Sequence, residues 1–261
     1  METYQAIILG VVQGLTELLP ISSSGHLYLI SDFFFNWDIP DAFDIALHYG
    51  TLLAICIFFF KDWLNLFKGA YEKVVHKKDS LESKIFFYMV IGTIPAGIIG
   101  LIFDKCFEDT LRHPLIVAGA LIIMGILLYV VDKKSKSEYT YETMTFKQSF
   151  LITMSQVLAF IPGVSRSGAT ITVGRALKVD RESVAKYTFL LSTPMIFAAV
   201  ILKLGVFELT KEFFIGVFTS FIVGLFVIKF LMSFLKKGSF KIFAIYRVLL
   251  GLFVIGWYFF I

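Results

Sequence analysis

Six stretches of this chain, at about 43–60, 85–103, 114–132, 184–203, 212–235 and 241–261, run apolar with hardly a charge. A helix rises about 1.5 Å per residue and the hydrocarbon core of a bilayer is about 30 Å thick, so about twenty such residues cross it. A chain built this way does not fold as a soluble domain. Its composition agrees: hydrophobic residues make up 57% of the 261 and charged residues only 17%, where soluble domains are about a quarter charged. The 30 phenylalanines suit a surface solvated by lipid. Polar joints separate the spans, at 61–84, 104–113, 132–147, 203–211 and 236–241.

Two further apolar segments are interrupted. Residues 3–34 break at Pro20-Ile21-Ser22-Ser23-Ser24-Gly25, and residues 148–178 break at Pro162-Gly163-Val164-Ser165-Arg166-Ser167-Gly168. Each arm is too short to span. Pro, Gly and Ser stop a helix and bare backbone polar groups, which survive at membrane depth only inside protein or along a wet cavity. Both segments are therefore read as re-entrant helix–loop–helix hairpins. The fold class predicted is an all-α polytopic membrane protein, with six transmembrane helices plus two hairpins in a single membrane domain.

The order hairpin, three spans, hairpin, three spans inverts the second half relative to the first. Of the 24 Lys and Arg, seventeen fall in 61–84, 132–147, 175–186 and 236–241, and four in 35–42, 104–113 and 203–211. Arg166, Lys229 and Arg247 lie inside apolar segments. The basic side is cytoplasmic by the positive-inside rule. Both termini then face out, the first hairpin enters from outside, and the second enters from the cytoplasm.

Displacing the sequence by 143 residues lays Gln13 on Gln156, Leu15 on Leu158, Ser22 on Ser165, Ser24 on Ser167 and Gly25 on Gly168. This marks an inverted-topology repeat, about 1–132 and 148–261. Glu17 becomes Phe160 and Ser23 becomes Arg166, so one half offers an acid and a hydroxyl where the other offers a cation.

Gln13 and Glu17, four residues apart, share one helical face. A carboxylate at membrane depth needs a partner or a function; an ion pair that only locks packing is the competing reading, and Gln13 could simply bridge helices. Ser22, Ser23 and Ser24 stand beside His26. Such hydroxyls can hold phosphate oxygens or, near a base, act as a nucleophile; capping of backbone is the plainer role. Around Arg166, the residues Gly163, Ser165, Ser167 and Gly168 read as an anion cradle, with the guanidinium as a forked donor suited to phosphate. Arg166 could instead pair with a buried acid such as Glu17, or do both in turn. His48 could line the cavity but reads more simply as packing, and His76 and His113 as solvated. The Lys-rich run 73–84 reads as a solvated cytoplasmic loop. Cys56 and Cys106 lack metal-type spacing and read as small apolar residues. The net charge of +4 is no argument for nucleic acid, so no such partner is expected. No cleavable signal peptide is expected, since the first apolar stretch has no basic leader and runs into serines.

At these residues the sequence resembles the bacterial undecaprenyl-diphosphate phosphatases, the bacitracin-resistance proteins. The family's Glu/Gln-x-x-x-Glu motif stands here as Gln13-Gly14-Leu15-Thr16-Glu17, its Pro-x-Ser-Ser-x-Gly-His motif as Pro20 to His26, and its Pro-Gly-x-Ser-Arg-Ser-Gly motif as Pro162 to Gly168. The resemblance implies hydrolysis of undecaprenyl diphosphate at an extracytoplasmic site of the plasma membrane, a homodimer, and a divalent cation, Mg²⁺ or Ca²⁺. Many relatives have Glu at the position of Gln13, so the amide leaves Glu17 as the one motif carboxylate for a metal. A second lipid phosphatase class, the type-2 phosphatidic acid phosphatases, places a His six residues after its Ser-Arg arginine. Thr172 stands there and excludes it.

The expected chemistry has Arg166, Ser165, Ser167 and the backbone at Gly163 and Gly168 holding the diphosphate, helped by Gln13, Ser22 and Ser24. Ser23 attacks, and Glu17 or His26 takes its proton, the other binding metal or protonating the leaving group; His26 is the alternative nucleophile. A lipid or ion-coupled transporter with the same midplane site is the rival function.

Overall fold

The computed structural model describes residues 1–40, 43–202 and 209–260. The side chains of 104–110 and 202 lie outside the described residues, and so therefore does the expectation for Cys106; most of the 203–211 joint does too. Cys56 is half-buried with a free thiol.

The described residues fold as helices. The first broken segment gives α1, Thr3–Thr16, and α2, Ser23–Tyr28, which runs on as a π-helical turn, Leu29–Phe34. Then come α3, Phe43–Phe58; α4, Phe60–His76; α5, Leu81–Leu111; and α6, Pro114–Lys134. The second broken segment gives α7, Phe146–Ser155, a 3₁₀ turn, Gln156–Phe160, and α8, Arg166–Ala176. The chain ends with α9, Arg181–Leu202; α10, Lys211–Leu235; and α11, Lys241–Phe260. Helix starts carry their caps: Ser80, Thr145 and Thr210 accept from backbone N–H groups three residues on, satisfying donors a helix leaves orphaned.

Among the described residues, five helices are long and apolar enough to cross a membrane: α6, α10, α11, and the Leu81–Phe103 and Arg181–Ile201 parts of α5 and α9. They coincide with five of the six expected spans. The sixth, 43–60, differs. α3 has 16 residues, about 24 Å at 1.5 Å per residue, and a 76° bend at Phe59 turns it into α4.

Two joints also differ from expectation. Residues 61–84 are helical through His76, and four residues, 77–80, separate α4 from α5. The lysines there interleave at helical spacing with Leu64, Phe67, Tyr71 and Val74, which form one exposed apolar face, while Leu66 and Ala70 are buried. A charge every few residues makes such a helix amphipathic; read linearly, it looks like a solvated loop. The 104–113 joint is also mostly helix, since α5 runs unbroken to Leu111. His76 and His113 are exposed at helix ends, as expected, and the His113 ring caps α6 by accepting from the N–H of Leu115.

Apolar residues are sorted by size rather than polarity. α10 buries Gly216, Ser220, Gly224 and Val227, and turns Phe214, Phe218, Phe226 and Phe230 outward. Lipid is as apolar as a core, so helices associate through small residues that let backbones approach, and large side chains face the acyl chains. The largest buried cluster draws Leu52 and Ile55 of α3, Ile85 and Met89 of α5, Ile152 of α7, Leu190 of α9 and Ile228 of α10 into one core.

Two buried charge clusters tie this core together. Asp132, at the end of α6, accepts from Arg175 Nε and Arg181 Nε at 2.8 Å each, and from the Phe240 N–H at 3.3 Å. One carboxylate thus pins α6, α8, α9 and the start of α11. Arg247 of α11 is fully buried and meets only carbonyls: Pro20 at 2.9 Å, Gly163 at 2.9 Å, Val164 at 2.8 Å and Leu121 at 3.4 Å. It holds both broken segments at once.

Removing one partner of a buried ion pair costs about 3–5 kcal/mol, and each orphaned buried carbonyl about 1–3 kcal/mol. Asp132→Ala and Arg247→Met are therefore each expected to destabilise the protein by several kcal/mol, about 3 or more. A lowered midpoint of thermal unfolding in detergent checks this, with the exposed substitution Lys68→Met expected to leave the midpoint unchanged.

Candidate active site

The two breaks share one local geometry. Ser22 has φ 77° and Ser165 φ 73°, and each precedes a helix it caps, Ser22 Oγ accepting from Gly25 N–H at 3.3 Å and Ser165 Oγ from Gly168 N–H at 3.0 Å. Positive φ is uncommon outside glycine. The same positive-φ serine cap recurs at positions 143 apart.

The breaks meet in the protein interior. A Cβ at Gly25 would stand 3.3 Å from Gly163 Cα, and one at Gly168 would stand 2.6 Å from Arg247 Nη1. Only hydrogen fits between these backbones and the guanidinium that clamps them. Ser167 Oγ crosses from the second break to donate to the Leu19 carbonyl of the first, at 3.1 Å.

Glu17 stands where the breaks touch and is 8% exposed. Its Oε1 pairs with Arg166 Nη2, in a contact from one broken segment to the other. Its Oε2 accepts from Ser23 Oγ at 2.5 Å and from Gln13 Nε2 at 3.4 Å. His48 arrives from α3: Nδ1 donates to the Asp44 carbonyl at 2.7 Å, and Nε2 faces Glu17 Oε2 at 3.4 Å. His48 thus reaches the same carboxylate oxygen that Ser23 and Gln13 meet. Arg166 is steadied by the Ser192 carbonyl of α9, at 3.4 Å.

This cluster forms the polar end of a cavity of about 280 Å³. Glu17, Ser23, Ser24, His48, Ser165 and Arg166 line that end, and Met195, Ile196, Ala199 and Val200 of α9 make an apolar wall. A second cavity, of about 200 Å³, adjoins it through Ser24 and His48 and leads past Asp44, Asp32 and Arg112.

Of the residues singled out from sequence, the structure thus gathers Glu17, Ser23, Ser24, Ser165 and Arg166 on one cavity. Ser22 and Ser167 are buried, their hydroxyls engaged within the breaks. Gln13 lies fully buried against Glu17. Gly163 and Gly168 lie in the seam between the loops and their neighbours. His26 lines neither cavity. Its Nδ1 is 2.6 Å from the Ser22 carbonyl and must donate to it, so Nε2 accepts from the Tyr246 hydroxyl at 2.7 Å.

Sequence reasoning passed over Arg247, Tyr246 and Gln156, and took His48 for packing. An ionisable residue inside an apolar run was the available signal for Arg247 and His48. Gln156 was visible only through its repeat partner, and Tyr246 had no signal.

Among the described residues, no three His, Cys, Asp or Glu are grouped as metal ligands. The hard oxygen donors here are the Glu17 carboxylate and Gln13 Oε1, which meets no hydrogen-bond partner among the described residues. Mg²⁺ and Ca²⁺ take oxygen ligands, and Mg²⁺ is often held by one or two carboxylates together with substrate phosphates and water. Gln13 is fully buried and lines neither cavity, so Glu17 is the member of the pair that would reach an ion held with a ligand there.

The family described as bacitracin resistance protein BacA matches residues 6–253. The undecaprenyl-diphosphatase of Gemmatimonas aurantiaca is 43% identical over 262 residues, covering 97% of each chain. Those of Desulforudis audaxviator and Thermodesulfovibrio yellowstonii are each 42% identical, covering 98% and 99% of this chain and 97% and 98% of their own lengths. With both motif-bearing breaks inside the matched region and the likeness running nearly end to end, this chain belongs to the bacitracin resistance protein BacA family.

Proposed function

We propose that this membrane enzyme hydrolyses undecaprenyl diphosphate to undecaprenyl phosphate and inorganic phosphate. It thereby recycles the lipid carrier of cell-wall synthesis and confers bacitracin resistance. The relatives bear that activity in their names along nearly the whole chain. The observation that carries the reading is the Ser23 hydroxyl bonded to one oxygen of Glu17 while Arg166 holds the other. A nucleophile, its base and a phosphate-binding cation stand together on one cavity.

The mechanism follows from these contacts. The prenyl chain lies along the apolar wall of α9 and the diphosphate enters the polar end. Phosphoryl transfer is catalysed mostly by positioning and charge stabilisation. Arg166 turns from Glu17 to the phosphate oxygens, and Glu17 keeps the Ser23 hydroxyl. Ser23 Oγ attacks the terminal phosphorus and its proton passes to Glu17. The bridging P–O bond breaks, and the lipid monophosphate departs with those electrons. Glu17 hands that proton to the departing monophosphate, then takes one from the water that cleaves the serine phosphate and returns it to Ser23 Oγ as inorganic phosphate leaves. Ser24 and Ser165 hold phosphate oxygens from the cavity wall; Ser22, Ser167, Gly163 and Gly168 shape the two loops that close on it. His26, engaged on both ring nitrogens, braces the first loop. Mg²⁺ or Ca²⁺, held by Glu17 together with the diphosphate, would supply charge to offset that of the substrate.

We further infer six crossings, with α3 and α4 as one bent span, two re-entrant hairpins and an inverted repeat. The matching turns at Ser22 and Ser165 support the repeat. The Lys and Arg bias supports cytoplasmic placement of the turn between α4 and α5 and outward termini. The cavities open beside residues bordering the basic-poor joints, Asp32, Asp44 and Arg112, which supports an extracytoplasmic site. A homodimer is the expected assembly.

Arg166→Ala and Glu17→Ala are expected to cut phosphate release from undecaprenyl diphosphate in detergent by at least about 10²–10³-fold, while both still insert and purify as dimers. Near-normal turnover in either would remove the assignment. Detergent abolishes any gradient, so release there also separates a hydrolase from a transporter. A rapid acid quench should trap phosphate on Ser23; phosphate on His26 would move the nucleophile.

A further inference from the structure

Gln156 opens the 3₁₀ turn after α7 and is 2% exposed. It lines the cavity that holds Glu17, Ser23 and Arg166. Yet neither its Oε1 nor its Nε2 meets a hydrogen-bond partner among the described residues.

The repeat explains why this amide is free. Its counterpart Gln13 donates to Glu17, four residues on. The residue four after Gln156 is Phe160, which has nothing to accept with. The second half has kept the amide and lost its internal partner. Each buried amide group left unpaired costs about 1–3 kcal/mol, a cost that Leu or Met at the same place would avoid. What sets this amide apart from other unpartnered buried groups is that it lines the cavity shared by Glu17, Ser23 and Arg166.

We propose that Gln156 is a substrate-binding residue, its Nε2 donating to a phosphate oxygen of the lipid diphosphate beside Arg166. This rests on the hydrolytic reading above and adds a donor to the site. An uncharged donor suits this place. It holds the anion without adding a second guanidinium-like cation to compete with Arg166 for Glu17.

The test compares wild type, Gln156→Leu and Gln156→Glu as purified full-length protein in detergent. Steady-state phosphate release is measured on undecaprenyl diphosphate, and thermal unfolding with and without farnesyl diphosphate as probe. Gln156→Leu is expected to raise KM about tenfold or more, the scale of one lost hydrogen bond to a charged group. Its own unfolding midpoint should equal or exceed that of wild type, because no internal bond is lost. The rise in midpoint that the probe gives wild type should shrink in Gln156→Leu and vanish in Gln156→Glu, where two anions meet. A wild-type KM in Gln156→Leu, or a midpoint that falls in step with activity, overturns the assignment. Should wild type bind the probe in a Gln156-dependent way but release no phosphate, the hydrolytic reading fails and the binding role stands.

Discussion

One ion pair organises the centre of this molecule. Glu17 and Arg166 come from different halves of the chain, and each would be too costly to bury alone. Paired, they draw two helix breaks together where backbone polar groups have no water to meet. The pair is also exchangeable. A guanidinium that satisfies a carboxylate can satisfy a phosphate with the same fork of donors, so the contact that holds the empty site together is one that an anionic ligand can take over. Ser23 and His48 share the same carboxylate, so any anion drawing Arg166 away alters the surroundings of both.

Around that pair the protein uses neutral donors and acceptors to satisfy itself. The serines at positive φ cap their own helices, Ser167 reaches across to Leu19, and Tyr246 closes off His26. Of the buried side-chain polar atoms without a partner among the described residues, Gln13 Oε1 and both amide atoms of Gln156 border the centre. Phe160 stands 143 residues after Glu17, so the carboxylate of the centre comes from the first broken segment alone.

Much of this was legible in the chain itself. Uninterrupted apolar runs mark five of the spans because lipid leaves a helix no alternative, and Pro-Gly-Ser clusters mark both breaks because those residues cannot continue one. The displacement of 143 residues, found in letters, reappears as a pair of matching backbone turns. Other features depend on three-dimensional neighbours. α4 looked like a loop since charge spaced along a helix and charge scattered along a coil have the same composition. His26 stood beside three serines in sequence, yet its ring turns to Tyr246, 220 residues away. His48, one polar ring on an apolar helix, becomes significant only once α3 is packed against Glu17.

The grip of Arg247 has a mechanical consequence. Its guanidinium meets Pro20 from one half, and Gly163 and Val164 from the other, all in the protein interior. A rocking of one half against the other, the movement by which a pump exposes its contents alternately to two sides, would strip several carbonyls at once with nothing to replace their donor. The centre of the molecule is latched. One side chain thus ties the two broken segments to each other and to α11.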